Sequence, residues 1–327
     1  MMARPGIFII SLDFELYWGV RDKRTIEQYR DNLLGVRRAI PALLSLFAEY
    51  GIHATWSTVG MLFASDADEL KRELPRVRPR YSNVALCPYR YLEQAAALDP
   101  RFHFAPDMID LIRASPGQEI GTHTFSHYYC LESGQDAAAF QADLTAAMAV
   151  AARRNLQVQS LVFPRNQWNS DYLSIVADAG IRCFRGNEAS WTHAAASNAR
   201  QGVARRSVRL LDAYLNLTGQ HTFSPADCAQ QKPFNIPASR FLRPHAPRLA
   251  VLDGLRLQRI TRALDHAAAR QQAMHLWWHP HNFGVNLEAN LRFLRRVLDH
   301  FRSLQQRGAI ESLNMRELAD RLEAMNR

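Results

Sequence analysis

The chain has 327 residues, 47% hydrophobic, 22% charged and 10% aromatic, a composition that fills a large core and excludes a disordered or collagen-like polymer. Its 40 basic residues exceed the 31 acidic ones, and only Lys23, Lys71 and Lys232 are lysines, so the positive charge is almost entirely guanidinium. Arginine suits bidentate contact with phosphate or carboxylate, but here it is spread along the chain without zinc-finger spacing, an RNA-recognition signature or a basic leucine-zipper pattern, which argues against a nucleic-acid partner.

The first apolar run, Gly6 to Leu12, is too short for a secretory core or a membrane span, and a cytoplasmic location is the expectation. It reads as a buried strand ending in the acids Asp13 and Glu15. Apolar residues at helical spacing follow from Arg30 to Tyr50, stopped by Gly51. Further strands are predicted over Ile52–Gly60, Glu119–Phe125, Ser160–Asn166, Arg182–Gly186 and Met274–Pro280. Helices are predicted over Gln135–Asn155, Ser170–Ala179, Ala250–Gln272 and Asn286–Arg307. Strand followed by helix, repeated, implies an α/β fold with a parallel sheet, either doubly wound or closed into a (β/α) barrel; the barrel is the favoured reading. Two arginine-rich stretches near 75–106 and 187–249 interrupt the rhythm and read as lids or binding loops inserted in one domain spanning 1–327. The four cysteines form no CxxC pair, so neither a disulfide framework nor a thiolate zinc site is expected.

Parallel strands bring their C-terminal ends to one rim, where α/β enzymes build their sites. Asp13 and Glu15, two residues apart, share a side of the extended chain; the plain alternative is a pair capping a helix or bridging to arginines. His123 and His127, in Gly121-Thr122-His123-Thr124-Phe125-Ser126-His127, are four apart, and one helical turn would place both on one face at zinc-ligand spacing. Two histidines and one carboxylate leave metal positions open, the pattern of a hydrolytic site. Arg165 and Asn166 follow the fourth strand, and Leu276-Trp277-Trp278-His279-Pro280-His281-Asn282 ends the last one in two histidines and an amide. A histidine beside tryptophans at a strand end is a candidate general acid.

The acidic strand end (Ser11-Leu12-Asp13-Phe14-Glu15), Ala54-Thr55-Trp56 with Gly60, the two-histidine motif, Phe163-Pro164-Arg165-Asn166 and Leu276-Trp277-Trp278-His279 together resemble the polysaccharide deacetylase superfamily, the NodB-homology or carbohydrate esterase family 4 group. The resemblance implies a distorted (β/α) barrel of about seven strands and a metal-dependent hydrolase that removes N-acyl groups from amino sugars; with the short N-terminal apolar run, surface-polysaccharide biosynthesis inside the cell is the expected setting. It implies Asp13 as catalytic base, with Arg165 orienting it, and His279 as acid, with His281 as its rival. Phe14 stands where the family's metal-binding acid usually follows the base, so the metal ligands become Glu15, His123 and His127, holding one divalent ion, Zn²⁺ by expectation. Trp18, Asn166, Trp278, His281 and Asn282 are the candidate substrate contacts, and Trp191 matches the family's tryptophan motif weakly.

Three alternatives stand beside this reading. A glycosidase using Asp13 and Glu15 would leave the two histidines idle. A deformylase or another C–N hydrolase of the same superfamily differs by as little as one methyl group in the acyl pocket. A non-catalytic glycan-binding relative would have lost its metal. An intracellular precursor, a nucleotide- or lipid-linked amino sugar, is the expected substrate, with Arg76, Arg78 and Arg80 meeting its diphosphate. Any membrane contact would be peripheral, through the basic face of Asn286–Arg307.

Overall fold

A computed structural model describes residues 4–190 and 203–326; Trp191 lies outside them. The strands in chain order are β1 (Gly6–Phe14), β2 (Ala54–Thr58), β3 (Gln118–Thr122), β4 (Ser160–Val162), β5 (Cys183–Gly186), β6 (Phe234–Pro237), β7 (Arg240–Phe241), β8 (Ala273–Trp278) and β9 (Ile310–Ser312). They form one sheet in the order β6-β5-β4-β3-β2-β1-β8-β7, with β9 beside the first residues of β1, and every strand pair is parallel. Among the described residues nine strands stand against the seven or so expected, and the three that the sequence did not locate, β6, β7 and β9, are pieces of four, two and three residues without a long apolar run to announce them.

The two ends of that path are joined by Ala238 and Ser239 alone, so the sheet has to curl until its edges meet. Ala238 N donates to Gly186 O of β5 at 2.9 Å and Ser239 N donates to His275 O of β8 at 2.8 Å. The result is a distorted parallel barrel. Among the described residues no helix is long and apolar enough to cross a membrane.

Alternation along β1 sorts its residues between two environments. Phe8, Ile10, Leu12 and Phe14 enter the outer core with the helices Ile26–Tyr50, Asp253–Arg270 and Leu287–Gln305. Ile7 and Ile9 face inward with Cys183, Phe234, Ile236 and the helix Met315–Met325. The same inward row continues into Ser11 and Asp13, so the barrel interior is apolar at one end and polar at the rim. The helix after β1 starts at Thr25, whose side chain accepts from Gln28 N while Gln28 reaches back to the Thr25 N–H; it ends at Gly51 with φ 62°.

Candidate active site

Arg185, not Arg165, is the guanidinium on Asp13. In β5, Cys183 packs inward and Phe184 outward, so Arg185 again points in. Its two Nη atoms each donate to one carboxylate oxygen of Asp13 at 2.7 Å, and further bonds reach Ser11 Oγ and Asn166 Oδ1, both at 2.9 Å. Burial alone would push the Asp13 carboxyl up, but Arg185, joined by His123 and His279, outweighs it and holds the group below the usual range. Arg165 turns away to Asp22, 2.5 Å from its carboxylate, and lies over the Tyr129 ring at 4.3 Å. The reversal is local: Arg165 and Asn166 have left-handed backbones (φ 57° and 53°), and the turn sends Asn166 to Arg185. An arginine before the glycine of an otherwise apolar strand was the available signal for Arg185.

Behind this pair lies His275, which the sequence reading did not single out. Ser11 Oγ accepts from Arg185, so its hydroxyl proton goes to His275 Nε2 at 2.8 Å, while Nδ1–H donates to Pro237 O at 3.2 Å. Burial and the nearby Arg185 push the His275 pKa down to about 3, which matches this neutral tautomer.

Glu15 is buried and faces three imidazoles. His123 Nε2 and His127 Nε2 lie 3.7 Å from its two oxygens, and His279 Nε2 lies 2.9 Å from Oε1 and 3.8 Å from Asp13 Oδ2. A Cβ on Gly19 would fall 1.2 Å from Glu15 Oε2, so only glycine fits that position with the carboxylate where it is. The His123–His127 segment is a loop rather than the expected helical turn, because Thr124 and His127 are left-handed (φ 62° and 61°) and fold the chain back until the two rings are 5.0 Å apart. Asp143 fixes that loop, accepting from Phe125 N at 2.7 Å, Ser126 N at 3.3 Å, Tyr89 OH at 3.2 Å and Ser126 Oγ. From the other side, Gly60 N donates to Thr124 O at 2.9 Å, and a Cβ there would meet Phe125 Cα at 2.8 Å.

The donor set fits a divalent cation. Glu15, His123 and His127 place one ligand atom each within 4.8 Å of one another, all buried. His123 Nδ1–H donates to Val162 O at 2.8 Å, leaving Nε2 as a buried lone pair without a partner, and burial pushes its pKa down to about 4, so the ring is neutral as a ligand must be. Separations of 3.7 Å are near the roughly 3.4 Å between tetrahedral donors about 2.1 Å from zinc. Asp13, Glu15 and His279 make an overlapping group, but both Asp13 oxygens are already engaged by Arg185.

A cavity of about 650 Å³ opens onto this cluster, lined by Asp13, Glu15, His127, Trp277, His279 and Phe241 among others. Arg165, Asn166, His281 and Asn282 also reach it. Trp18 and Trp278 do not: Trp18 is fully buried with Nε1 donating to His103 O at 2.8 Å, and Trp278 stacks on Phe283 at 5.6 Å. The pairing of β1 with β8 explains the second case. Leu12 and Trp278 are partners on the outward side, whereas Ser11 and Trp277 are partners on the inward side, so the tryptophan at the cleft is Trp277. Arg76, Arg78 and Arg80 are likewise absent from the cleft; Arg78 lies over Tyr89 at 4.7 Å and donates to Pro75 O.

His279 and His281 stack at 4.9 Å but differ in charge preference. Burial lowers both, yet Glu15 and Asp13 overcome it at His279 and raise its pKa, whereas His281, beside His279, is driven down to about 3. Of the two, His279 is the one suited to carry a proton into the cleft.

The polysaccharide deacetylase family model matches residues 22–184, which include His123 and His127, and the chain belongs to that family. No curated protein sequence matches it. A crystal structure described as a "putative polysaccharide deacetylase" from Mycobacterium smegmatis superimposes with a TM-score of 0.61 at 13% identity, covering 100% of this chain and 96% of that one. PuuE allantoinase gives 0.58 at 13% identity, with 99% and 92% covered. The 4-α-glucanotransferase of Thermococcus litoralis gives 0.51 at 10% identity, with 97% of this chain and 40% of that one covered. At these identities the likeness is one of fold.

Proposed function

We propose that the protein is a metal-dependent hydrolase that removes an N-acyl group, acetyl in the first instance, from an amino sugar. The observation that carries this reading is the convergence on one buried carboxylate, Glu15, of His123, His127 and His279, beside an Asp13 fixed by Arg185. Glu15, His123 and His127 would hold the cation, zinc in this proposal, and when bound it supplies Lewis acidity at the acyl carbonyl.

The chain's own groups do the rest. Asp13, kept ionised and oriented by Arg185, takes a proton from the attacking water. His279, protonated between Glu15 and Asp13, donates to the departing amine, a poor leaving group without that proton. Trp277 and Phe241, 4.7 Å apart, offer an aromatic wall for the sugar.

The test is metal content by elemental mass spectrometry together with acetate or formate release from N-acyl hexosamines, wild type beside His123→Ala/His127→Ala. About one divalent ion per chain and acyl release, both lost in the double variant, are expected. A protein that takes up none of several divalent ions on reconstitution would overturn the reading in favour of a non-catalytic relative.

A further inference from the structure

The same cleft carries a group of guanidiniums that the deacylation chemistry does not use. Arg240, first residue of β7, is 5% exposed and lines the cleft. One of its Nη atoms donates to Asp212 Oδ2 at 3.2 Å and Asp212 O at 3.3 Å, while Nε and the other Nη are buried with no hydrogen-bond partner among the described residues. Buried donors left without acceptors are costly, and proteins retain them where something else supplies the acceptor. Arg243, also on the cleft, has one Nη on Arg209 O at 3.4 Å.

The local acids do not balance these cations. Asp212 is shared between Arg240 and Arg259, whose Nη lies 3.3 Å from the same oxygen. Burial and the neighbouring Arg240 push the Arg259 pKa down to about 10, as expected of crowded guanidiniums. Asp13 is taken by Arg185 and Glu15 by the imidazoles, and Glu188, 3.3 Å from His221, lends its single charge to both Arg243 and Arg259. Arg240 pairs with Leu276 and Phe241 with Trp277, so their side chains leave β7 on opposite faces; the cavity reaches both, and Phe241 packs on Trp277 and His279 at its reacting end.

We infer that Arg240 and Arg243 form a subsite for a phosphoryl oxyanion on the substrate, so that the amino sugar enters as a glycosyl phosphate or diphosphate. A planar fork with two vacant donors matches phosphoryl oxygens, and a cavity of about 650 Å³ accommodates a sugar with its phosphoryl group. The inference rests on the N-deacylase reading for the sugar, but not for the anion.

Calorimetric titration of the metal-loaded protein with inorganic pyrophosphate, uridine diphosphate and glucuronate tests it. Pyrophosphate affinity is expected to fall at least tenfold in Arg240→Met and in Arg243→Met, and to stay unchanged in Glu15→Ala, which separates the subsite from anion binding at the metal. Thermal melting checks each variant; should Arg240→Met fail to fold, the more exposed Arg243→Met carries the comparison. Uridine diphosphate binding at least tenfold tighter than pyrophosphate would assign the subsite to nucleotide-linked sugars, and equal binding to a non-nucleotide carrier. Unchanged pyrophosphate affinity in the arginine variants, absence of binding at millimolar concentration, loss only in Glu15→Ala, or arginine dependence confined to glucuronate would each overturn the inference. Arginine-dependent pyrophosphate binding without any acyl release would instead sink the deacylase reading and leave the subsite standing.

Discussion

Arg185 grips Asp13 with both terminal nitrogens at 2.7 Å, across 172 residues of sequence, and thereby fixes the direction in which the carboxylate can accept a proton. Replacing Arg185 with methionine should lower kcat for acyl release about a hundredfold or more, since a misdirected base costs that order, while leaving bound metal near one per chain. Arg165→Met, which removes the bond to Asp22 instead, should cost less in kcat. Equal losses in the two variants would return Arg165 to the role the motif order suggested.

Gly19→Ala is a test of the metal site that replaces no ligand. The added Cβ would collide with Glu15 Oε2, so the carboxylate must move. Metal affinity, followed by competition with a chelator, should weaken at least tenfold, the usual scale when support of a ligand is lost.

Asp143 is remote from the cleft but holds the loop between the two histidines. Asp143→Ala leaves the Phe125 and Ser126 N–H groups buried without their acceptor. A stability loss of about 1–3 kcal/mol per orphaned group is expected, measured by urea unfolding, together with weaker metal retention at pH 7.

His275 gives the protein an acid sensitivity of known sign. Its folded pKa of about 3 lies below the ordinary 6.5, because burial and Arg185 disfavour the charged ring. The folded state therefore binds fewer protons than the unfolded one between those values, and stability, fully present above pH 6.5, falls as pH drops toward 3. The limiting slope is about 1.4 kcal/mol per pH unit. His123 and His281, also lowered, act in the same direction, so the informative quantity is the difference between wild type and His275→Asn. The variant should lose less stability between pH 7 and pH 5; parallel curves would refute the neutral, buried assignment.

The two adjacent tryptophans should separate cleanly. Trp278→Ala removes a fully buried ring and is expected to cost about 3–5 kcal/mol in unfolding free energy. Trp277→Ala, at the cleft, should chiefly raise KM.

The α/β class, most strand and helix positions and the closely spaced acids and histidines at strand ends were legible in the sequence, because apolar periodicity and residue spacing are local properties of the chain; the choice of Glu15 beside His123 and His127 as candidate ligands came from the family resemblance. The sequence could not choose the arginine: Arg165 and Arg185 both end strands, and which one meets Asp13 depends on a left-handed turn at Arg165-Asn166 and on the inward register of β5. Nor could it tell Trp277 from Trp278, since a shift of one residue exchanges the faces of a strand and only pairing with β1 sets that register. The helical turn expected for His123 and His127 gave way to a loop fixed by Asp143, a contact 16 residues beyond His127. Closure through Ala238 and Ser239 brought Arg240 and Arg243 onto the same cleft as Asp13. The strand registers and the closure compare distant segments, and the energy that settles them exists only once the sheet has curled; the turn at Arg165-Asn166 and the loop held by Asp143 rest on backbone geometry and a side-chain contact that hydrophobic periodicity does not reveal.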